Sequence, residues 1–311
     1  MLISHSRRTD ATITGLVGAG STIIPAASDG GYLQHASALV DSRPGIGALM
    51  RFGNTTVSEE DERFGVQVTW PTDDARAVRV FGLLGTSLPL GTRVWITYRD
   101  AAGTWSTGDI GGNTTANTIY GPTDYERIQA LPDGSRGAWM LAVPAVETPI
   151  TGFRLWIGRR VATLAQGGVE SDFGPYTLGE LWFGEAVEWD AFRQWSDDQP
   201  DDSRAQTSVA RQPFVAREAP ARVLQIDLEH VPTSTAIGAS ADRLQGIRER
   251  MNRKQPIAVL PRHSLASLVD AQQMQSLALF GCADRLGMIE RVGAADRYKM
   301  SLAFREFPVP R

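Results

Sequence analysis

The stretch RVWITY at residues 93–98 places Val94, Ile96 and Tyr98 at alternate positions, with polar or amphipathic side chains between them. Successive side chains of a β-strand point to opposite faces of a sheet, so one set can enter a core while the other meets solvent or a second layer. β-Branched and aromatic residues also favour extended chain. The stretch therefore predicts a strand, and it puts Trp95 on the face opposite Ile96.

Similar short runs lie on both sides of this strand. Residues 76–84 form a β-branched and aromatic run, and AWMLAV (138–143) and FRLWI (153–157) are each bounded by Gly or Pro. GTW (103–105) follows a short turn, which predicts the return strand of a hairpin. Short strands at this spacing, without amphipathic helices between them, are typical of an antiparallel β-sandwich.

The chain is long enough for more than one domain. Residues 1–50 are rich in Gly, Ala and Ser and show little periodicity, so we expect an irregular N-terminal arm with short strands, which could pack on a neighbouring subunit. Residues 51–174 hold the strands of the sandwich. Residues 175–311 are expected to form a second β-rich domain, because VLQIDL (223–228) alternates cleanly and further strand-like runs follow it. The predicted fold class is therefore mainly β.

One helix interrupts the strands of the second domain. Within residues 240–254, Leu244, Ile247 and Met251 recur at the spacing of one helical face, and charged residues cover the opposite face. A second, shorter helix is expected over residues 266–277. The second domain is therefore predicted to combine a sheet with one or two helices.

Composition excludes several classes of protein. The net charge is −4 with both signs interspersed, which provides no basic face for nucleic acid. Cys282 is the one cysteine of the chain, so neither an intrachain disulfide nor a cysteine-cluster metal site is expected. No apolar run is long enough to cross a membrane, so we expect no membrane span.

The sequence holds no motif of a known catalytic site. The four histidines are isolated from one another, and no nucleophile elbow, zinc-protease signature or phosphate-binding loop is present. Paired carboxylates occur at 73–74, 197–198 and 201–202, where solvated loops are the simpler interpretation. We therefore expect neither an enzyme nor a cofactor or metal site.

The aromatic residues leave two interpretations open. Trp95, Trp105 and Tyr120, together with Trp139 and Trp156, could form a platform that stacks on sugar rings. The alternative is that they pack in the core, as large aromatic side chains commonly do. Trp95 is the best candidate for an exposed or interfacial ring, because alternation separates it from the core face.

Several stretches resemble proteins of bacteriophage tails. Three of them are similar to the discoidin-like, or galactose-binding-like, β-sandwich of tail proteins. They are VFGLLGTSL (80–88), RVWITYRD (93–100) and FRLWIG (153–158). ELWFGEAVEW (180–189), followed by RVLQIDL (222–228), resembles the strand order that comes after this sandwich in tail proteins. The resemblance consists of strand patterns and covers roughly residues 75–311.

The resemblance implies a structural role in the distal tail or baseplate of a long-tailed phage. Such a subunit joins the tail tube to the receptor-binding apparatus, with tail tube, baseplate hub and tail fibres as partners. We then expect a homo-oligomeric ring of three or six subunits in the virion, assembled in the host cytoplasm. Ring contacts use sheet edges and loops, and the strand with Val223, Gln225 and Asp227 is the candidate for assembly. The alternative is a carbohydrate-binding module that recognises a glycan of the host surface through Trp95 and Trp105.

Overall fold

The structure of the chain is a computed structural model. It describes residues 2–4, 11–19, 22–41, 47–52, 62–88, 92, 94–109, 129–130, 137–142, 149–158, 161–163, 169–171, 174–189, 192–198, 204–207, 213–216, 221–238, 243–251, 255–261, 277–293 and 296–307.

Short strands follow one another along the whole chain. The first twelve are β1 (Leu2–Ser4), β2 (Thr12–Ala19), β3 (Thr22–Pro25), β4 (Tyr32–Gln34), β5 (Ala48–Arg51), β6 (Glu62–Thr69), β7 (Val80–Thr86), β8 (Val94–Asp100), β9 (Trp105–Asp109), β10 (Gln129–Ala130), β11 (Gly137–Ala142) and β12 (Ile150–Gly158). The others are β13 (Val161–Thr163), β14 (Val169–Ser171), β15 (Tyr176–Leu178), β16 (Glu180–Gly184), β17 (Ala186–Glu188), β18 (Phe192–Asp198), β19 (Arg204–Thr207), β20 (Pro213–Ala216), β21 (Val223–Pro232), β22 (Pro256–Leu260), β23 (Leu279–Leu286), β24 (Glu290–Val292) and β25 (Arg297–Glu306). The helical elements of the described part are α1 (Thr233–Ala236), α2 (Leu244–Met251) and 3₁₀ turns at Ala26–Asp29, Ala36–Val40 and Thr72–Asp74.

The chain divides into two compact units. The sandwich unit comprises Arg7–Glu185 and Ser264–Ser276, and the eight-strand unit comprises Met1–Ser6, Ala186–His263 and Leu277–Arg311. The expected boundary between residues 174 and 175 is wrong, because β15 pairs with β5 and β16 pairs with β7 inside the sandwich unit.

Two antiparallel sheets pack face to face in the sandwich unit. The larger has the order β3-β2-β6-β12-β8-β9, and the smaller has the order β10-β11-β7-β16. Phe153 of the larger sheet lies with its ring centroid 5.1 Å from those of both Phe81 and Phe183, which belong to the smaller sheet. The mainly β, antiparallel fold class predicted from sequence is confirmed, and this unit is consistent with a β-sandwich.

The described part of residues 1–50 contains the expected short strands, but β1–β5 are paired into sheets of the two units and do not form a separate irregular arm. β2 pairs with both β3 and β6 in the larger sheet, and β4 pairs with β5. Glycine explains why the sequence shows so little periodicity there. A Cβ atom at Gly15 would lie 2.9 Å from the Cβ of Leu33 and 3.1 Å from the ring of Phe64. This core-facing position therefore holds a residue that carries no hydrophobic signal.

The eight-strand unit is built on one antiparallel sheet of order β17-β1-β22-β23-β25-β21-β18, with β24 pairing with β25 beside this path. The N-terminal strand β1 therefore lies between β17 and β22. Ile3 of β1 is buried in the same core as Leu302 of β25. This core is distinct from the core of the sandwich unit.

The helix predicted over residues 240–254 is present as α2, and residues 239–242 and 252–254 lie outside the described residues. Leu244, Ile247 and Met251 are buried in the core of the eight-strand unit, as their spacing predicts. The shorter helix expected over residues 266–277 lies outside the described residues except at Leu277.

Two strands of the eight-strand unit differ from the sequence prediction. The carboxylate pair at residues 197–198 is predicted to lie in a solvated loop, but Ser196–Asp198 complete β18. In this strand Trp195 pairs with Ile226 of β21. β23 was not predicted, because Asp284 and Arg285 end its apolar run and Gly281 interrupts it.

Candidate functional site

β8 separates a core face from an outer face in the larger sheet of the sandwich unit. Val94 and Ile96 point into the core and are buried, whereas Trp95 and Thr97 lie on the outer face and are only partly buried. The alternation of residues 93–98 therefore predicts the two faces correctly.

Trp156 lies on the same outer face, directly opposite Trp95 in the pairing of β12 with β8. Its Nε1 donates a hydrogen bond of 2.9 Å to Thr97 Oγ1, and the guanidinium of Arg63 lies 4.7 Å from its ring centroid. The ring covers Gly65, where a Cβ atom would lie 2.6 Å from it. These contacts bury Trp156 almost completely, so its role is packing and not a sugar platform.

Arg154 and Trp105 form a second stacked pair on this face. The guanidinium of Arg154 lies 3.7 Å from the centroid of the Trp105 ring, and Arg154 Nε donates a hydrogen bond of 2.8 Å to Gln67 Oε1. Partial burial lowers the pKa of Arg154 from its ordinary value, and the like charge of Arg63 lowers the pKa further. Both effects oppose the charged form of the side chain.

Two of the three predicted aromatic site residues lie on this face. Trp95 and Trp105 contribute to one outer face, whereas Tyr120 lies outside the described residues. Arg63 and Arg154 also belong to this face, and they are not among the site residues predicted from the sequence. The signal for Arg154 was present in FRLWIG, because alternation puts residues 154 and 156 on one side of β12. We call this surface the tryptophan–arginine face; it consists of Arg63, Gln67, Trp95, Thr97, Trp105, Arg154 and Trp156.

A second candidate surface lies in the eight-strand unit. A groove of about 580 Å³ is bordered by β21, β25 and the segment from Arg285 to Glu290, and we call it the β21–β25 groove. Gln225 and Asp227, which the sequence assigned to an assembly strand, both line it. Met288, on the same lining, is 70% exposed, the largest exposure of any large hydrophobic side chain in the described part.

Short polar contacts join side chains that line this groove. Ser301 Oγ donates a hydrogen bond of 2.6 Å to Asp227 Oδ1, and Lys299 Nζ lies 2.8 Å from Glu290 Oε2. The hydrogen bond to Glu290, together with the charge of that carboxylate, raises the pKa of Lys299. Gly287 N–H donates to the carbonyl of Ser301, and a Cβ atom at Gly287 would lie 2.7 Å from that oxygen.

The position of β21 decides how the predicted assembly residues can act. β21 pairs with β25 on one side and, over residues 223–228, with β18 on the other, so the backbone that carries the predicted assembly residues is engaged along both edges. An added strand needs a free edge. A contact through Val223, Gln225 and Asp227 would therefore use their side chains, of which Gln225 is exposed and the other two are partly buried.

No group of three or more His, Cys, Asp or Glu side chains in the described part of the chain is placed to hold a metal ion. Among the described residues, no helix has the length and apolar character needed to cross a membrane. No protein-family model matches the sequence, and no curated protein matches it significantly.

Proposed function

We propose that this protein is a structural subunit of a phage tail tip, in a distal tail ring or baseplate, and not an enzyme. In the virion it would connect the tail tube to the receptor-binding apparatus. Its partners would be the tail tube, the baseplate hub, the tail fibres and further copies of itself in a ring of three or six. Assembly of the tail would take place in the host cytoplasm.

The observation that carries this proposal is the placement of the segments on which the resemblance rests. VFGLLGT is β7 and ITGFRLWIG contains β12, the central strands of the two facing sheets, and ELWFG is β16, paired with β7. VLQIDL begins β21 in the second unit. The similar stretches thus form strands of two antiparallel units, although β16 belongs to the sandwich unit itself and does not follow it, and this strand content supports the proposal.

The β21–β25 groove is the surface that we assign to the contact between subunits. It contains Gln225 and Asp227, the exposed apolar side chain of Met288, and charges of both signs, including Arg285 and Glu290. Heterologous ring contacts join unlike surfaces of two copies, so a mixed polar and apolar groove can receive a different patch of its neighbour.

The second candidate function is a carbohydrate-binding module for a host-surface glycan. The tryptophan–arginine face favours it, because Trp95 and Trp105 lie on one outer face and remain partly accessible. Aromatic rings with a polar neighbourhood provide both stacking area and hydrogen-bond partners for a ligand.

Light scattering on the purified chain, with negative-stain images of the same fraction, tests the proposed ring. We expect closed rings of three or six subunits. Gln225→Arg places a bulky charge in the groove and should shift the protein to smaller species. Gln255→Arg changes another exposed glutamine outside the groove, and this variant should still form rings.

A protein that stays monomeric at all concentrations contradicts the ring. Retention of that monomer on a glycan array would then favour the carbohydrate-binding alternative. A monomer that is retained by no glycan contradicts both functions. Rings that persist in Gln225→Arg would show that the groove is not the subunit contact.

A further inference from the structure

Two guanidinium groups of like charge are held on the tryptophan–arginine face. Arg63 lies over Trp156 and Arg154 lies over Trp105, at 4.7 and 3.7 Å from the ring centroids. Partial burial, followed by the like charge of Arg63, lowers the pKa of Arg154. Since arginine keeps its proton at all ordinary pH values, Arg154 carries its positive charge at a cost in free energy.

Among the side chains that the structure describes, no carboxylate pairs with Arg154. Its described contacts are the Trp105 ring, Gln67 and the repulsive Arg63, and of its nitrogens only Nε donates a hydrogen bond to a described residue. An opposite charge beside a partly buried guanidinium stabilises its charged form, and an external anion can supply that charge.

The guanidinium of Arg154 is also fixed in orientation. Trp105 covers one of its faces and Gln67 engages Nε, and none of the contacts among the described residues engages the Nη1 and Nη2 edge, which is the edge that a ligand would reach. A planar guanidinium whose rotation is restricted binds carboxylate and phosphate oxygens through two parallel hydrogen bonds at little cost in entropy. This geometry selects an acid group and not merely negative charge.

Trp95 adds an apolar surface on the same outer face as this acid-binding group. It lies opposite Trp156, two positions from Thr97, which in turn is opposite Arg154 in the pairing of β8 with β12. Its ring is only partly buried. The C–H groups of a sugar ring are apolar and can pack against an indole, so the face offers stacking and acid recognition side by side.

We propose that the tryptophan–arginine face binds a saccharide that carries an acid group, either a carboxylate or a phosphodiester. Arg154 binds the acid and Trp95 packs against the sugar ring. This inference names the ligand class of the carbohydrate-binding candidate and rests on that candidate; it does not depend on ring assembly.

Calorimetric titration of the full chain with three polymers tests the site. Polygalacturonate supplies carboxylates, poly(glycerol phosphate) supplies phosphodiesters, and neutral dextran supplies neither. We expect heat of binding with at least one acidic polymer and none with dextran. Raising NaCl from about 50 to about 500 mM should weaken the binding, because salt screens the attraction.

Two variants locate the site, and a third is the control. Arg154→Gln removes the charge and the two-pronged donor and should weaken binding at least about tenfold. Gln67→Glu is nearly isosteric and puts a carboxylate at the hydrogen-bond position of Arg154 Nε, so it should also weaken binding while the fold is kept or stabilised. Arg248→Gln removes an exposed arginine from α2 of the other unit and should bind like the unchanged protein.

The acidic polymer that binds identifies the acid group, and binding of both shows that the face recognises either one. Absence of binding to both acidic polymers overturns the proposal. Equal affinity in the unchanged protein and in Gln67→Glu overturns it as well, even if Arg154→Gln fails to fold. Binding of neutral glycans that neither variant weakens would keep the carbohydrate-binding candidate and reject this site. Light scattering on the same samples reports ring formation separately.

Discussion

At the scale of single residues, Gly65 is the position where the tryptophan–arginine face leaves least room. The Trp156 ring lies directly over it, and a Cβ atom there would be 2.6 Å from one ring carbon and 2.9 Å from another. Trp156 cannot move aside easily, because Thr97 accepts a hydrogen bond from its indole N–H and Arg63 covers it. Gly65 therefore provides space for a neighbour, and its role is steric.

Gly65→Ala should destabilise the protein by about 1–3 kcal/mol, the usual cost of overpacking a well-packed site. Denaturant unfolding followed by circular dichroism measures the loss. In a Trp156→Leu background the clashing ring is absent, so the additional cost of Gly65→Ala should fall to a few tenths of a kcal/mol, roughly the scale of uncoupled sites. If Gly65→Ala had the same cost with Trp156 and with Leu at position 156, the clash with the Trp156 ring would not be the cause of the destabilisation.

At the scale of elements, α2 shows how a short helix is held by its buried face. Leu244, Ile247 and Met251 all enter the core of the eight-strand unit, while Arg248 and Glu249 are exposed. A helix of eight residues has little stability of its own in water, so packing against the sheet must hold it.

Ile247→Ala should lower the free energy of unfolding by about 2–4 kcal/mol, through lost burial and the cavity that remains. Arg248→Ala, at the next position on the exposed side of the same helix, should change it by less than about 0.5 kcal/mol. Urea titration of both variants makes the comparison. If the two changes had similar effects, the burial assigned to this helix would be incorrect.

At the scale of the whole molecule, the path of the chain makes the N-terminal strand part of the unit that holds the C-terminus. β1 lies between β17 and β22, whereas β2, which follows it in sequence, belongs to the sandwich unit. Ile3 and Ile13 are ten positions apart, yet they contribute to different hydrophobic cores. Residues that are close in sequence therefore belong to separate units.

Differential scanning calorimetry should resolve a separate unfolding transition for each of the two units. Ile3→Ala should lower the transition of the eight-strand unit, with a cost of about 2–5 kcal/mol for a fully buried isoleucine. Ile13→Ala should instead lower the transition of the sandwich unit, and by less, because Ile13 is only partly buried.

Variants in each core identify the two transitions. Leu302→Ala should move the same transition as Ile3→Ala, and Leu155→Ala should move the same transition as Ile13→Ala, because each pair shares a core. A single transition that all four variants shift equally would contradict two independently stable units.

Local patterns predicted much of the fold and part of the candidate site. The alternation around Trp95 and along residues 223–228, and the helical spacing of Leu244, Ile247 and Met251, depend only on the neighbours of each residue in sequence. Each of these was correct in the structure. The strand pattern of residues 12–19 was missed, because Gly15 stands at a core position where the layers approach closely.

The sequence by itself determined the fold class, the strands around β7, β8, β12 and β21, and the side of the sheet to which Trp95 belongs. Tertiary structure alone decided that β1 joins a sheet made mostly of C-terminal strands, that residues 223–228 of β21 are paired on both sides, and that Arg154 stacks on Trp105. The physical reason is that alternation specifies which face a side chain takes but not which strand lies beside it. Strand partners are chosen by contacts between residues far apart in the chain, and the two arginine–tryptophan pairs exist only once β6, β8, β9 and β12 are in register.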